Sequence, residues 1–131
     1  MDKKLKVVYI IDDDQVFIFG LKKMITIRNL CENIFVFGNG LEAIEFMKLN
    51  LNSPRNLPDV ILLDINMPIM DGWEFLEEYT SIKAGLSKKC TIYLVTSSVH
   101  IPDMERAKNL EDIKNYLVKP ITLDDLEAVL S

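Results

Sequence analysis

Apolar runs of strand length alternate five times with stretches of helical periodicity, and this alternation limits the fold more than any other feature of the chain. The runs are Leu5 to Ile11, Asn33 to Phe37, Val60 to Leu63, Thr91 to Val95 and Lys114 to Val118. They are rich in β-branched and aliphatic residues with little polar interruption, the signature of strands buried on both faces. Between them, apolar residues recur at helical spacing: Phe17, Leu21, Met24 and Arg28; Leu41, Ile44, Met47 and Leu51; Trp73, Leu76, Tyr79 and Ile82. Shorter stripes follow at Ile101, Met104, Ala107 and Leu110, and at Leu123, Leu126, Val129 and Leu130. Each stripe is one face of an amphipathic helix. A βα unit repeated five times predicts an α/β fold, a doubly wound parallel sheet with helices on both faces and right-handed crossovers.

Local punctuation supports these boundaries. Asn39-Gly40 precedes the second helix, Asn52-Ser53-Pro54 and Pro58 fill the loop before the third strand, and Asp71 is placed to cap the third helix. Thr122, Asp124 and Asp125 suit the N-terminus of the last helix. A chain of 131 residues is the usual size of one domain, expected to span 1–131. Apolar and charged fractions of 49% and 27% exclude a disordered or membrane-embedded chain.

The net charge of −5 supplies no basic footprint for nucleic-acid phosphates, so the expected partner is a protein. The apolar runs are too short to span a membrane and the N-terminus lacks a signal-peptide pattern, so a cytoplasmic location is expected. Cys31 and Cys90 lie far apart without metal-ligand spacing and read as packing or surface residues. His100, the only histidine, reads as a loop or helix-start residue.

In an open parallel sheet, ligands collect at the carboxyl ends of the strands. Asp12, Asp13 and Asp14 stand where the first strand runs out, Asp64 follows the third, Thr96 the fourth and Lys119 the fifth. Each has an ordinary alternative: Asp64 as a loop or cap aspartate, Thr96 as a helix cap, Lys119 as a solvated lysine. Their shared edge favours a common site. Converging carboxylates raise one another's pKa and persist where a cation neutralises them. An all-oxygen donor set selects a hard ion, Mg²⁺ first and Mn²⁺ second. A carboxylate can accept a phosphoryl group, and a metal with a fixed ammonium neutralises charge on the transferring group. Pro120 ends the fifth strand's ladder directly after Lys119.

The strings YIIDDD, DVILLDINMPIMDGWEFL from Asp59 to Leu76, YLVTSS from Tyr93 to Ser98 and YLVKPI from Tyr116 to Ile121 occur in this order. With them the chain resembles a response-regulator receiver domain, the phosphoacceptor half of two-component signalling, over nearly its whole length. The resemblance implies a flavodoxin-like sheet of strand order 2-1-3-4-5 and phosphorylation of Asp64. It implies that Asp13, Asp64 and the backbone carbonyl of Asn66 bind the metal. Asp12 completes the acidic pair, acting mostly through a metal-bound water, and Asp14 is a first-turn acid of the helix. Thr96 and Lys119 contact the phosphoryl group, and Thr96 with Tyr116 forms the switch. Met67, Pro68, Asp71 and Gly72 shape the following loop. Ser97 replaces an alanine frequent there, while Asn66 and Ser98 occupy positions that influence acyl-phosphate lifetime.

The implied partners are a sensor histidine kinase or histidine phosphotransfer protein as donor and a downstream protein target. The target is met through the fourth helix, fifth strand and fifth helix, by a monomer or a weak phosphorylation-dependent dimer. The chain is then a signalling phosphoacceptor, with assisted self-phosphorylation and self-dephosphorylation as its only catalysis. Two other readings use the same residues. A haloacid-dehalogenase-like phosphatase also joins an Asp nucleophile, Mg²⁺ and lysine, but its nucleophile lies on the first strand and a cap usually covers it. A degenerate receiver acting only as a binding module would lack some of the acids, the threonine or the lysine, and all are present.

Overall fold

A computed structural model describes residues 6–97 and 100–130. The strands are β1 (Val7–Ile11), β2 (Asn33–Phe37), β3 (Val60–Asp64), β4 (Thr91–Thr96) and β5 (Ile113–Val118). The helices are α1 (Gln15–Ile27), α2 (Gly40–Lys48), α3 (Gly72–Ile82), α4 (Ile101–Lys108) and α5 (Leu123–Leu130). All strand pairs are parallel, in the order β2-β1-β3-β4-β5. The expected fold class and strand order are therefore observed. Among the described residues no helix is long and apolar enough to cross a membrane.

Side chains alternate across a strand, so each central strand feeds two cores. Tyr9, Ile11, Ile61 and Leu63 face one side, packing with Ala43, Ile44 and Met47 of α2, Phe75, Leu76 and Tyr79 of α3 and Ala107 of α4. Val8, Ile10, Val60 and Leu62 face the other, packing with Ile18, Leu21 and Ile25 of α1 and Leu126, Val129 and Leu130 of α5. Burying each such aliphatic side chain is worth about 1.5–3 kcal/mol. Helices on both sides of the sheet hide both faces of these continuous apolar strands.

Some details differ from the sequence reading. Asp14 is the N-cap of α1, its carboxylate accepting from the N–H groups of Val16 and Phe17, and not a first-turn acid. Helix α1 buries Ile18, Leu21 and Ile25, leaving Phe17 and Met24 half-buried and Arg28 as its exposed C-cap. Asp64 and Thr96 are the last residues of their strands and not the first beyond them. Leu41, Ile101 and Leu110 are exposed, and Leu51 lies beyond α2. Strand β1 is assigned from Val7, Leu5 being outside the described residues, and β5 begins at Ile113.

Candidate functional site

Strand register brings the site together. Ile11 pairs with Leu63, Asp64 with Val95, and Thr96 with Val118, so four strands run out along one edge. The ladder extends one residue past β1 and β5: Asp12 N–H donates to the Phe37 carbonyl at 2.9 Å and Lys119 N–H to the Thr96 carbonyl at 2.7 Å. Those bonds fix the backbone from which the Asp12 and Lys119 side chains project. Asp14 then starts α1, and the N–H of Asp14 donates to Asp12 Oδ1 at 2.9 Å.

Carboxylate oxygens of Asp12, Asp13 and Asp64 lie within 4.8 Å of one another. Asp12 and Asp64 are buried and Asp13 is exposed, so the cluster opens to solvent on one side. Lys119 Nζ stands 3.0 Å from Asp12 Oδ2 and 4.3 Å from the centre of the Phe17 ring. This ion pair holds the buried Asp12 Oδ2 against an ammonium that is itself largely buried. Burial first, then the Asp12 and Asp13 charges, pushes Asp64 up to about 6, against the opposing pull of Lys119 and the Asn66 N–H. Asp12 is also raised, chiefly by burial. One ammonium among three carboxylates leaves net negative charge in a half-buried space, and a hard cation matches that donor set.

The loop after β3 is tied at several points. Met70 N–H donates to the Pro68 carbonyl at 2.7 Å, closing a three-residue turn around Ile69, whose φ is 69°. Positive φ is strained for a β-branched residue. The Met70 carbonyl accepts from Gly40 N–H at 3.0 Å, locking the loop to the start of α2. Gly72 N–H donates to the Ile65 carbonyl at 2.8 Å, and a Cβ at position 72 would come within 2.6 Å of the Asp64 carbonyl oxygen. Only glycine allows α3 to start so close to Asp64. Asp71 caps α3 in a reciprocal pair with Glu74.

Thr96 is buried at the end of β4, and Lys119 follows β5. Tyr116 is half-buried with its hydroxyl inside, and desolvation followed by the Asp103 charge raises its pKa. His100 is the N-cap of α4, with Nδ1 3.3 Å from Asp103 Oδ2. Asn66, Pro68 and Ser97 are exposed, as is Pro120, which is joined to Lys119 by a cis peptide bond. Ser98 lies outside the described residues. Sequence reading missed Phe17 beneath Lys119, Gly40 as the loop's anchor and Glu74 in the cap. The last had a readable signal, an acid three residues after Asp71.

A family model for the response regulator receiver domain matches residues 8–131. The chain belongs to that family. Among curated relatives, the response regulator Rcp1 of Synechocystis is 29% identical over 124 residues, covering 92% of this chain and 81% of that protein. The probable methanogenesis regulatory protein FilR2 of Methanothrix harundinacea is 27% identical over 92 residues, covering 70% of this chain but 57% of that one. A two-component response regulator from Cytophaga hutchinsonii superposes with a TM-score of 0.86 at 28% identity, covering 97% of this receiver domain and 95% of that chain. The receiver domain of sensor histidine kinase PA1611 from Pseudomonas aeruginosa, solved with magnesium in its active-site cleft, shares the fold. Its TM-score is 0.75 at 21% identity, covering 95% of this chain and 93% of that one.

Proposed function

We propose that this receiver domain accepts a phosphoryl group on Asp64 from a phosphohistidine of a sensor histidine kinase or histidine phosphotransfer protein. The observation that carries the reading is the cluster of Asp12, Asp13 and Asp64 carboxylates, two of them buried, beside the one ammonium of Lys119. Asp12, Asp13, Asp64 and the Asn66 carbonyl are the groups that would hold Mg²⁺ or Mn²⁺. Bound there, the ion would neutralise charge on the phosphoryl oxygens as the group transfers. The magnesium-bound PA1611 receiver supports this choice of ion.

In the step itself, one Asp64 carboxylate oxygen forms a bond to phosphorus as the donor's P–N bond breaks. The electron pair of that bond returns to the imidazole ring, which takes a proton from water. An ionised Asp64 is the competent nucleophile, so its raised pKa makes neutralisation by a cation part of its activation. Lys119 lies within reach of the same space and supplies a fixed positive charge for the phosphoryl oxygens. The Thr96 hydroxyl would donate to one of those oxygens, and Tyr116 would follow Thr96.

The output is a changed affinity of the α4-β5-α5 face for a protein target, a coupling between two sites through one bistable surface. Pro68, Asp71, Gly72 and Pro120 hold the surrounding backbone. The reading includes a single domain over 1–131 and a cytoplasmic location beside the donor, with no catalysis beyond gain and loss of Asp64's own phosphoryl group. Incubation with acetyl phosphate and Mg²⁺ is expected to add one phosphoryl group by intact mass. Asp64→Asn and chelation by EDTA should each abolish the adduct. An adduct retained in Asp64→Asn sinks the assignment.

A further inference from the structure

The five-stranded sheet has two edges, β2 and β5. Along an edge strand, alternate residues bond to the inner neighbour and the peptide groups between them face outward. On β2, Asn33 N–H reaches the Lys6 carbonyl at 3.4 Å and the Phe37 carbonyl receives Asp12 N–H. Asn33, Phe35 and Phe37 therefore bond inward, and the peptide groups of Ile34 and Val36 face out. On β5, Lys119 N–H donates inward to Thr96, so Leu117 and Asn115 also bond inward and Tyr116 and Val118 face out.

Each edge covers one outward donor in the same way, although β5 also carries Lys114, left unpaired where the register shifts between Ile113 and Asn115. Asn33 Oδ1 accepts from Ile34 N–H at 3.0 Å, and Asn115 Oδ1 accepts from Tyr116 N–H at 2.8 Å. Among the described residues, no side chain covers the N–H of Val36 or Val118, two positions further on. Edge β2 is the more inviting, since β5 already carries the exposed Lys114. The β2 sequence NIFVF carries neither charge nor proline, and Val36 and Val118 expose 37% and 41% of their surface.

We propose that Asn33 and Asn115 are edge guards, each using its own side chain to occupy the peptide donor that a second copy of this chain would need to add a strand. An unguarded run of outward N–H and C=O groups on a flat apolar edge is a template for strand addition. On β2 a single free N–H beyond the guard gives an incoming strand too short a ladder to hold, and on β5 the guard separates the free N–H of Val118 from the irregular stretch at Lys114. Contacts between copies are thereby restricted to side chains on the helices and β5, and sheet-to-sheet joining is suppressed.

The test uses the full chain with Asn33→Val, Asn115→Val, the double variant, and Asn52→Val as a control of equal hydrophobicity in an exposed loop. In the parent, hydrogen exchange by NMR should be roughly fivefold slower at Ile34 and Tyr116 than at Val36 and Val118, the effect of one net hydrogen bond. Valine at 33 or 115 should erase the difference on its own strand. Size exclusion with light scattering should show the double variant associating at concentrations where parent and Asn52→Val keep their size. Equal exchange at guarded and unguarded amides, or a double variant matching the parent's size throughout, overturns the proposal.

Discussion

The two ends of β3 each carry an aspartate with a lysine nearby, and they are built for opposite purposes. At the entry, Asp59 Oδ2 accepts from Val7 N–H at 2.8 Å and from Lys88 Nζ at 3.3 Å, while Lys88 also donates to the Leu57 carbonyl at 2.9 Å. At the exit, Asp64 sits with two further carboxylates, and one lysine stands 3.0 Å from Asp12 Oδ2. At the entry the aspartate is surrounded by donors, and at the exit mostly by other carboxylates. An aspartate met by donors ties strands together, whereas one crowded by other carboxylates stores unfavourable electrostatics that a ligand can relieve. The location of a charge therefore says less about function than whether its neighbours satisfy it.

The largest effect that could break this contrast is the pH response of the metal-free chain. Asp64 ionises at about 6 in the folded chain against an ordinary 3.8. Well below pH 3.8 both folded and unfolded chains hold the proton, and the group costs nothing. As pH rises toward 6 the unfolded chain releases its proton first, so folding loses stability, by at most about 3 kcal/mol above pH 6. Asp12, also raised, pushes the same way. With EDTA present, urea unfolding of the parent is expected to weaken over this window relative to Asp64→Asn. A parent and Asp64→Asn with parallel profiles would refute the account of the exit end.

Next in size is the response to Mg²⁺. A ligand bound only by the folded chain stabilises by about 2.7 kcal/mol at a hundredfold excess over its Kd. Thermal unfolding of the parent should therefore shift upward with Mg²⁺, by less in Asp13→Ala and by the full amount in Asp59→Asn. Loss of the shift in Asp59→Asn would mean that the entry end, and not the exit, senses the ion.

The alternation of Val7–Ile11, Val60–Asp64 and their neighbours with amphipathic stripes made the sheet legible, because continuous apolar strands have one economical way to be covered. The gathering of Asp12, Asp13 and Asp64 beside Lys119 followed from their common position at strand ends, where Thr96 also ends its strand. What stayed hidden depended on side-chain direction. Phe17 reads as a core residue in any apolar pattern, yet its ring lies under Lys119. The buried stripe of α1 runs through Ile18 and Ile25 because Asp14 caps the helix and sets its phase. Ile101 and Leu110 match helical spacing but are exposed, since α4 buries only Ala107. The link from Met70 to Gly40 joins residues thirty apart through backbone atoms, which no residue identity announces.

The smallest expected effect sharpens the comparison from its quiet side. Lys88 is mostly buried at its side chain and donates to both Leu57 and Asp59. Lys88→Met keeps the apolar stem and removes the ammonium, so the Leu57 carbonyl and one Asp59 contact lose their donor. Asp59 retains the Val7 N–H, and its side chain is about one-third exposed, so water can replace part of what is lost. The net cost is about 1 kcal/mol. Urea unfolding should register that loss while the acetyl phosphate adduct on Asp64 forms to the parent's extent. A change in adduct formation would mean that strain introduced at the entry of β3 travels the length of the strand. The two aspartates would then be one coupled system, and the division between a structural end and a reactive end would have to be abandoned.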